Sequence, residues 1–274
     1  MIYYNFILIC FFLYKIMAHS IIEYLKFIIK SSNQHGVHSP FVYNLVTKCF
    51  YQKTDDQSFK SFSQIKEQVI NNKTFIKVTD FGAGSKVFKS KNREVAKIAT
   101  VAGISNKKAK LLIRLIKYFK PENILEIGTS LGLGTAAIKI GNRDSEITTL
   151  EGCPETSKIA QELFKKNNLK KINIILGNFK ETLPKVVKEQ KFNLIYFDGN
   201  HNKKATLNYF NTCTQTITNN SVWIFDDIYW NKEMKSAWSE IKKHPKVKVT
   251  VNVFHWGIVF FRKEQEKEHF KIRL

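Results

Sequence analysis

Three acids and a histidine stand where side chains could do chemistry: Asp198 and His201 in "DGNH", and the pair Asp226 and Asp227 in "IFDD". Carboxylate oxygens are the ligands that a hard cation such as Mg2+ takes, and a bound Mg2+ lowers the pKa of a hydroxyl it touches. His201, three residues after Asp198, is placed to act as a base, since imidazole exchanges protons near neutral pH. The plainer reading of Asp198 and Asp226 is that they cap the helices that follow them. A second stretch, "ILEIGTSLGLGT" from Ile124 to Thr135, allows three chemistries. Its glycines could cradle a dinucleotide or another adenine cofactor, and its "GTSLG" has the spacing of a nucleophile elbow around Ser130. "VTDFGAGS" at Val78 to Ser85 is a rival glycine loop.

Elements must hold these residues in place. From Pro121 onward strand and helix alternate, with "NILEIG", "EITTLEG", "INIILGN", "FNLIYFDGN" and "SVWIFDD" as strands. Such alternation predicts an α/β fold, a Rossmann-like doubly wound and mostly parallel sheet covered on both faces. Two strand patterns flank "HWG" near the end, "VKVTVNVF" and "GIVFFRK", and predict an antiparallel C-terminal hairpin closing one edge. The N-terminal part reads as helices: "IIEYLKFIIK", a helix opened by Ser39 and Pro40, patches at Phe62 to Ile70 and Glu94 to Ala102, and "NKKAKLLIRLIKYFK" capped by Ser105. The expected division is a hydrophobic extension at 1–16, an N-terminal helical region or lid at 17–104, and the main domain at 105–274. The apolar run Phe6 to Tyr14 is too short for a membrane span and lacks a basic flank. It is read as an extension upstream of Met17, and no stable membrane insertion is expected.

A cofactor cradle in a doubly wound sheet needs a strand before the glycines, a helix after them, and an acid at the end of the next strand. "DFGAGS" is followed by a charged run and fails. "ILEIGTSLGLGT" passes, with Glu151 ending the next strand 23 residues after Gly128. The order Gly128, Gly132, Gly134 departs from G-x-G-x-x-G. Glu126, two residues before the first glycine, would repel a pyrophosphate but suits a cationic ligand. For the serine reading, Asp226 and His255 follow in the order a hydrolase uses. An elbow normally follows several strands and an oxyanion loop, though, and the region before Ile124 reads as helices; Ser130 is therefore taken as a small turn residue.

This pattern resembles the cofactor loop of class I S-adenosylmethionine-dependent methyltransferases, in particular the catechol-type O-methyltransferase branch with its LEIGT-x-x-G form. The resemblance implies S-adenosylmethionine as cofactor, with Glu126 near its methionine moiety and Glu151 on its ribose. Gly128, Ser130 and Gly132 in the loop, and Asn178, Phe179 and Asp198 at the following strand ends, are the further cofactor-binding candidates. Catechol-type enzymes carry an acid at the Asp198 position, a lysine base where this chain has His201, and an Asp–Asn metal pair where it has Asp226 and Asp227. Asp in place of Asn adds negative charge, so Mg2+ is expected here only through an altered site formed by Asp198, Asp226 and Asp227. A bacterial group of class I methyltransferases shares "HGVHSPFVY", "DFGAGS", "LEIGTSLG", "DGNH", "IFDDIYW" and the ending "WGIVFFRKEQ" across almost everything after Met17. Within it "HGVHSPF" and "DFGAGS" are candidates for a lid over the acceptor, against a plainer reading of His35 and His38 as loop and capping residues. Of the tryptophans that could shape an aromatic acceptor pocket, Trp223 and Trp238 sit in core patterns.

The net charge is +21, with 44 Lys and Arg against 23 Asp and Glu, which would ordinarily point to nucleic acid. Only five of these cations are arginine, and the lysines are scattered through every segment, so a designed basic face is disfavoured. The cysteines show no metal or disulfide spacing, which suits a reducing cytoplasm. The expectation is a cytoplasmic O-methyltransferase acting on a small-molecule hydroxyl, its N-terminal helices serving acceptor binding or a homodimer. The alternatives are an RNA methyltransferase of the same fold and a non-catalytic cofactor-binding scaffold.

Overall fold

The computed structural model describes residues 19–79 and 90–274; the 1–16 extension and the "DFGAGS" loop lie outside them. Helix α1 covers 19–30. Next, α2 (Pro40–Leu45) starts as the Ser39–Pro40 pair predicts: the Ser39 hydroxyl accepts from the Val42 N–H, and the proline occupies the first turn, where its missing donor costs nothing. After α3 (Asp56–Ile70), a short antiparallel ribbon of β1 (Phe75–Lys77) and β2 (Asn92–Glu94) leads into α4 (Val95–Ala102). Ser105 then caps α5 (Asn106–Phe119) through the Lys108 N–H at 3.2 Å.

The alternating part follows: β3 (Asn123–Ile127), α6 (Leu133–Gly141), β4 (Glu146–Glu151), α7 (Pro154–Lys166), β5 (Ile172–Leu176), α8 (Phe179–Glu189), β6 (Leu194–Phe197), α9 (Lys203–Cys213), β7 (Val222–Asp226), α10 (Lys232–Lys243), β8 (Val249–Asn252), β9 (Trp256–Phe260) and β10 (Glu268–Lys271). These strands form one sheet in the order β10-β8-β9-β7-β6-β3-β4-β5. From β7 to β5 every pairing is parallel, so the loops that leave the carboxyl ends of β3, β4, β6 and β7 all open on one side. The chain reverses its direction of travel across the sheet between β3 and β6, which is where ligands collect in open α/β sheets.

Strand alternation sorts the core into two layers. Ile124, Tyr196, Ile224 and Ile258 face one way, onto α2 to α6, in a single apolar cluster that includes Leu45, Phe62 and Leu112. Leu125, Ile195, Trp223 and Val259 face the other way, onto α8, α9 and α10. Trp223 and Trp238 are core residues, as their patterns predict.

The C-terminal hairpin forms but does not end the sheet. Its strand β9 pairs antiparallel with β7 and with β8, while β10 adds in parallel outside β8 and takes the edge. The sequence misses β10 because "EHFK" is charged, short and half exposed and shows no clean alternation. No helix among the described residues is long and apolar enough to cross a membrane.

Candidate cofactor and acceptor site

The turn from β3 into α6 is built on left-handed residues: Gly128 at φ +109°, Ser130 at φ +50° and Gly132 at φ +81°. A Cβ on Gly128 would lie 2.5 Å from the Asp198 carbonyl oxygen, so this glycine lets the β3 and β6 loops touch. Gly132 serves packing instead, since a Cβ there would strike the Phe164 ring of α7 at 2.6 Å. The loop is tied to the end of β4. Gly128 and Thr129 donate to the Leu150 carbonyl, and the Glu151 carboxylate accepts from the Ser130 N–H at 2.6 Å and the Cys153 N–H at 2.8 Å. Burial raises the Glu151 carboxyl above its usual value, while these N–H groups pull it back. Two accepted bonds leave lone pairs on both Glu151 oxygens, so the residue can hold the loop and still accept from hydroxyl groups in the crevice.

Glu126 is wholly buried, at 0% exposure. One carboxylate oxygen accepts from the Thr135 hydroxyl at 2.5 Å and the Thr149 hydroxyl at 2.6 Å; the other has no partner. That second oxygen lies where a Cβ on Gly134 would be, at 2.7 Å, which explains the third glycine of the motif. Burial pushes Glu126 up to about 7 against the pull of the two threonines. Because the side chain is sealed, its influence on a ligand runs through charge and not through contact. The set fits a cationic cofactor: an acid under the loop with one oxygen uncompensated, and a second acid at its rim.

Ser130 shares the left-handed geometry of a nucleophile elbow, but its surroundings differ. Its N–H is held by Glu151, β3 is the first strand of its sheet, and among the described residues no histidine is hydrogen-bonded to its hydroxyl. His255, its expected partner, is exposed on the β8–β9 turn. Asn178 caps α8 by accepting from the Lys180 N–H, and the Phe179 ring rests against Gly199 and Tyr209; both residues stand half buried beside the crevice.

The acids at the ends of β6 and β7 do come together. Helix capping does not account for them, because Asn202 caps α9 and Asn231 caps α10. His201 Nε2 lies 3.7 Å from Asp198 Oδ1, each side chain 27% exposed. Burial raises Asp198 well above the carboxylate range, reinforced by the negative charge of Asp226, to which it is hydrogen-bonded. Burial opposes ionisation of Asp226 as well, but there the Lys108 ammonium and the Asp198 hydrogen bond prevail and keep it below its usual value. Lys108, in the first turn of α5, donates to Asp226 Oδ1 at 2.7 Å and to Asp227 Oδ1 at 2.8 Å. The buried Trp256 indole N–H also donates to Asp226 Oδ1, at 2.7 Å.

This donor set departs from the sequence expectation of Mg2+ on Asp198, Asp226 and Asp227. One oxygen each of Asp226 and Asp227 is held by an ammonium, that of Asp226 by an indole as well, and among the described residues no group of three His, Cys, Asp or Glu is arranged to hold a metal ion. As folded, these residues do not fit the ion. The sequence reading missed Lys108 and Trp256. One signal was available: "SNKKAK" sets two lysines in a first helical turn, where the macrodipole disfavours cations.

The "HGVHSPF" segment is placed elsewhere. Ser39 donates to Gln265 at 3.1 Å, and Phe41 packs on Phe260 and Arg262, at the amino ends of the sheet's parallel strands. A cavity of about 370 Å³ opens there, lined by Phe41, Phe119 and Arg262 among others. That is the opposite end from Asp198, so Ser39 and Phe41 stand away from it, while Gly36 packs on Ser32 beside the carboxyl end of β10. His35 and His38 are exposed, and the Asn33 side chain accepts from the His35 N–H in the local turn. On the site side, the Thr79 N–H donates at 3.3 Å to Cys153 Sγ, two residues after Glu151.

Comparison with known proteins agrees with this geometry. The family model described as a methyltransferase domain matches residues 125–228. A Podospora anserina methyltransferase with SAH bound is similar over 83% of this chain and 97% of its own, at 18% identity and a TM-score of 0.57. An O-methyltransferase from Bacillus cereus in complex with SAH covers 76% of this chain and 92% of its own, at 18% identity and 0.54. The Streptomyces achromogenes O-methyltransferase TomG with SAM covers 81% and 95%, at 13% identity and 0.54. No curated protein matches in sequence. With the glycine loop, the acid ending β4 and the strand order all in place, residues 125–228 are similar to a methyltransferase domain, and the chain has the fold of class I S-adenosylmethionine-dependent methyltransferases.

Proposed function

We propose that the protein transfers a methyl group from S-adenosylmethionine to a hydroxyl of a small molecule. The observation that carries this reading is the pairing of Glu151, latched to the glycine loop, with the half-exposed Asp198–His201 pair across the same crevice. The cofactor, when bound, supplies an electrophilic methyl group on a sulfonium. Glu151 accepts from the ribose hydroxyls with its remaining lone pairs, and Glu126 is a buried acid beneath the loop whose ionised form a cation above it would favour. Ser130, Asn178 and Phe179 border the cofactor site, while Gly128 and Gly132 shape its loop. His201 takes the acceptor proton at Nε2 as the hydroxyl attacks. The imidazolium so formed faces Asp198 at 3.7 Å and feels the charge of Asp226. Methyl transfer is an in-line displacement, so most of the remaining work is orientation.

Calorimetric titration with S-adenosylhomocysteine tests the reading. The wild type should bind in the micromolar range. Glu151→Ala, which loses charged hydrogen bonds worth about 1.5 to 3 kcal/mol, should bind roughly ten- to hundredfold more weakly. Glu151→Gln, which keeps one acceptor for the Ser130 N–H, separates loss of ribose contact from loss of loop shape. Equal affinity in all three proteins, or no binding to the wild type, would overturn the assignment.

A further inference from the structure

The carboxylates at the ends of β6 and β7 already have a cation. We propose that the Lys108 ammonium is the resident counter-ion of the Asp198, Asp226 and Asp227 cluster, standing where a divalent metal ion would otherwise be needed, so that the site works without one.

The ammonium bridges Asp226 and Asp227 at 2.7 and 2.8 Å, and the Lys108 side chain is only 17% exposed. Asp226 Oδ1 takes a second donor, the Trp256 indole, which fixes the carboxylate in the orientation that faces the lysine. A metal ion would have to remove the ammonium from both oxygens and coexist with its charge nearby, because Lys108 is tethered to α5. Charge balance points the same way. One ammonium already stands among these carboxylates and is bonded to two of them. A divalent ion binds best where several ionised carboxylates have no other partner.

The position of the lysine also calls for a reason. Lys108 sits in the first turn of α5, where the helix dipole repels a cation. Across the crevice the Asp pair offsets that repulsion through two close ion pairs with the ammonium. Lysine, with three donors on a flexible stem, can bridge two carboxylates that do not share a plane. Lys108 touches neither of the residues given chemical roles above, Glu151 and His201. It acts as a positioning residue that holds the acids in one arrangement and leaves Asp198 facing His201.

This inference rests on the methyl-transfer reading only for what the site is used for; the cation itself can be tested without turnover. Full-length protein is titrated with Mn2+, and free Mn2+ is followed by electron paramagnetic resonance, with and without S-adenosylhomocysteine. The wild type should show no saturable site below millimolar Mn2+. Lys108→Met uncovers the carboxylates and should gain Mn2+ affinity by at least about tenfold. Lys108→Arg keeps the charge and should behave as the wild type. Should the methionine variant not fold, Lys108→Gln gives the same readout with a neutral donor in place. A micromolar site in the wild type that disappears in Asp227→Asn would overturn the proposal, as would unchanged Mn2+ affinity in the neutral variants. Failure of the wild type to bind S-adenosylhomocysteine would instead remove the methyl-transfer reading and leave the role of Lys108 standing.

Discussion

Replacing Glu126 by glutamine should favour resistance to unfolding more above neutral pH than near pH 4.5. The side chain is sealed at 0% exposure, and only one of its oxygens is hydrogen-bonded, so the charged form is disfavoured in the folded state. Its pKa rises from the ordinary 4.5 to about 7. At about 1.4 kcal/mol for each tenfold change in proton affinity, the folded state favours the protonated acid by roughly 3 kcal/mol. Between these two pH values the folded protein holds a proton that the unfolded chain has released. Stability contributed by Glu126 is therefore fully present below 4.5, declines as the pH rises toward 7, and is gone beyond it. Glutamine has the shape of the protonated acid and does not titrate. The assay is urea unfolding of both proteins, free of cofactor, at intervals from pH 4.5 to 8. Other acids titrate in both proteins, so the test is the difference between the two curves: it should grow by about 3 kcal/mol across the window in favour of Glu126→Gln. A constant offset from the altered threonine bonds is expected and decides nothing. Curves that stay parallel would refute the reasoning, because they would mean that Glu126 keeps its charge at no cost in the folded protein.

Two further substitutions test the packing that holds the site. Gly128→Ala combines a positive φ with a Cβ 2.5 Å from the Asp198 carbonyl, so it should cost at least about 2 kcal/mol in thermal unfolding and weaken S-adenosylhomocysteine binding together with stability. Wild-type unfolding in Gly128→Ala would mean that the β3 and β6 loops do not touch as described. Trp256→Phe keeps an aromatic ring but removes the N–H bonded to buried Asp226 and part of the ring volume, and should cost at least about 1.5 to 3 kcal/mol. A Trp256→Phe protein as stable as the wild type would show that Asp226 does not depend on that donor.

Local pattern made much of this protein legible. The caps at Ser39 and Ser105, the strands from "NILEIG" to "SVWIFDD", and the glycine loop followed by Glu151 all depend on neighbours close in sequence, or on the single alternation that distinguishes a buried strand from a helix. Such features can be read along the chain because hydrogen bonds and burial repeat within a few residues. The parallel sheet follows from them, since alternating strands and helices have few other ways to bury both faces.

What the chain folds into at longer range could not be read in that way. Lys108 meets Asp226 across 118 residues of sequence, and only the sheet order, with β7 beside β6 and α5 packed beneath, brings that first helical turn to the acids. The same order sends Ser39 and Phe41 to the amino ends of the strands and leaves a charged tail, β10, as the edge. A run of residues reports how each side chain relates to its own element. Which charges finally neutralise one another depends on which elements become neighbours, and that was decided by packing the two apolar layers against the sheet. The sequence by itself therefore determined the glycine turn and the acid that ends β4, whereas the cation that meets Asp226 and Asp227 was decided by the tertiary structure.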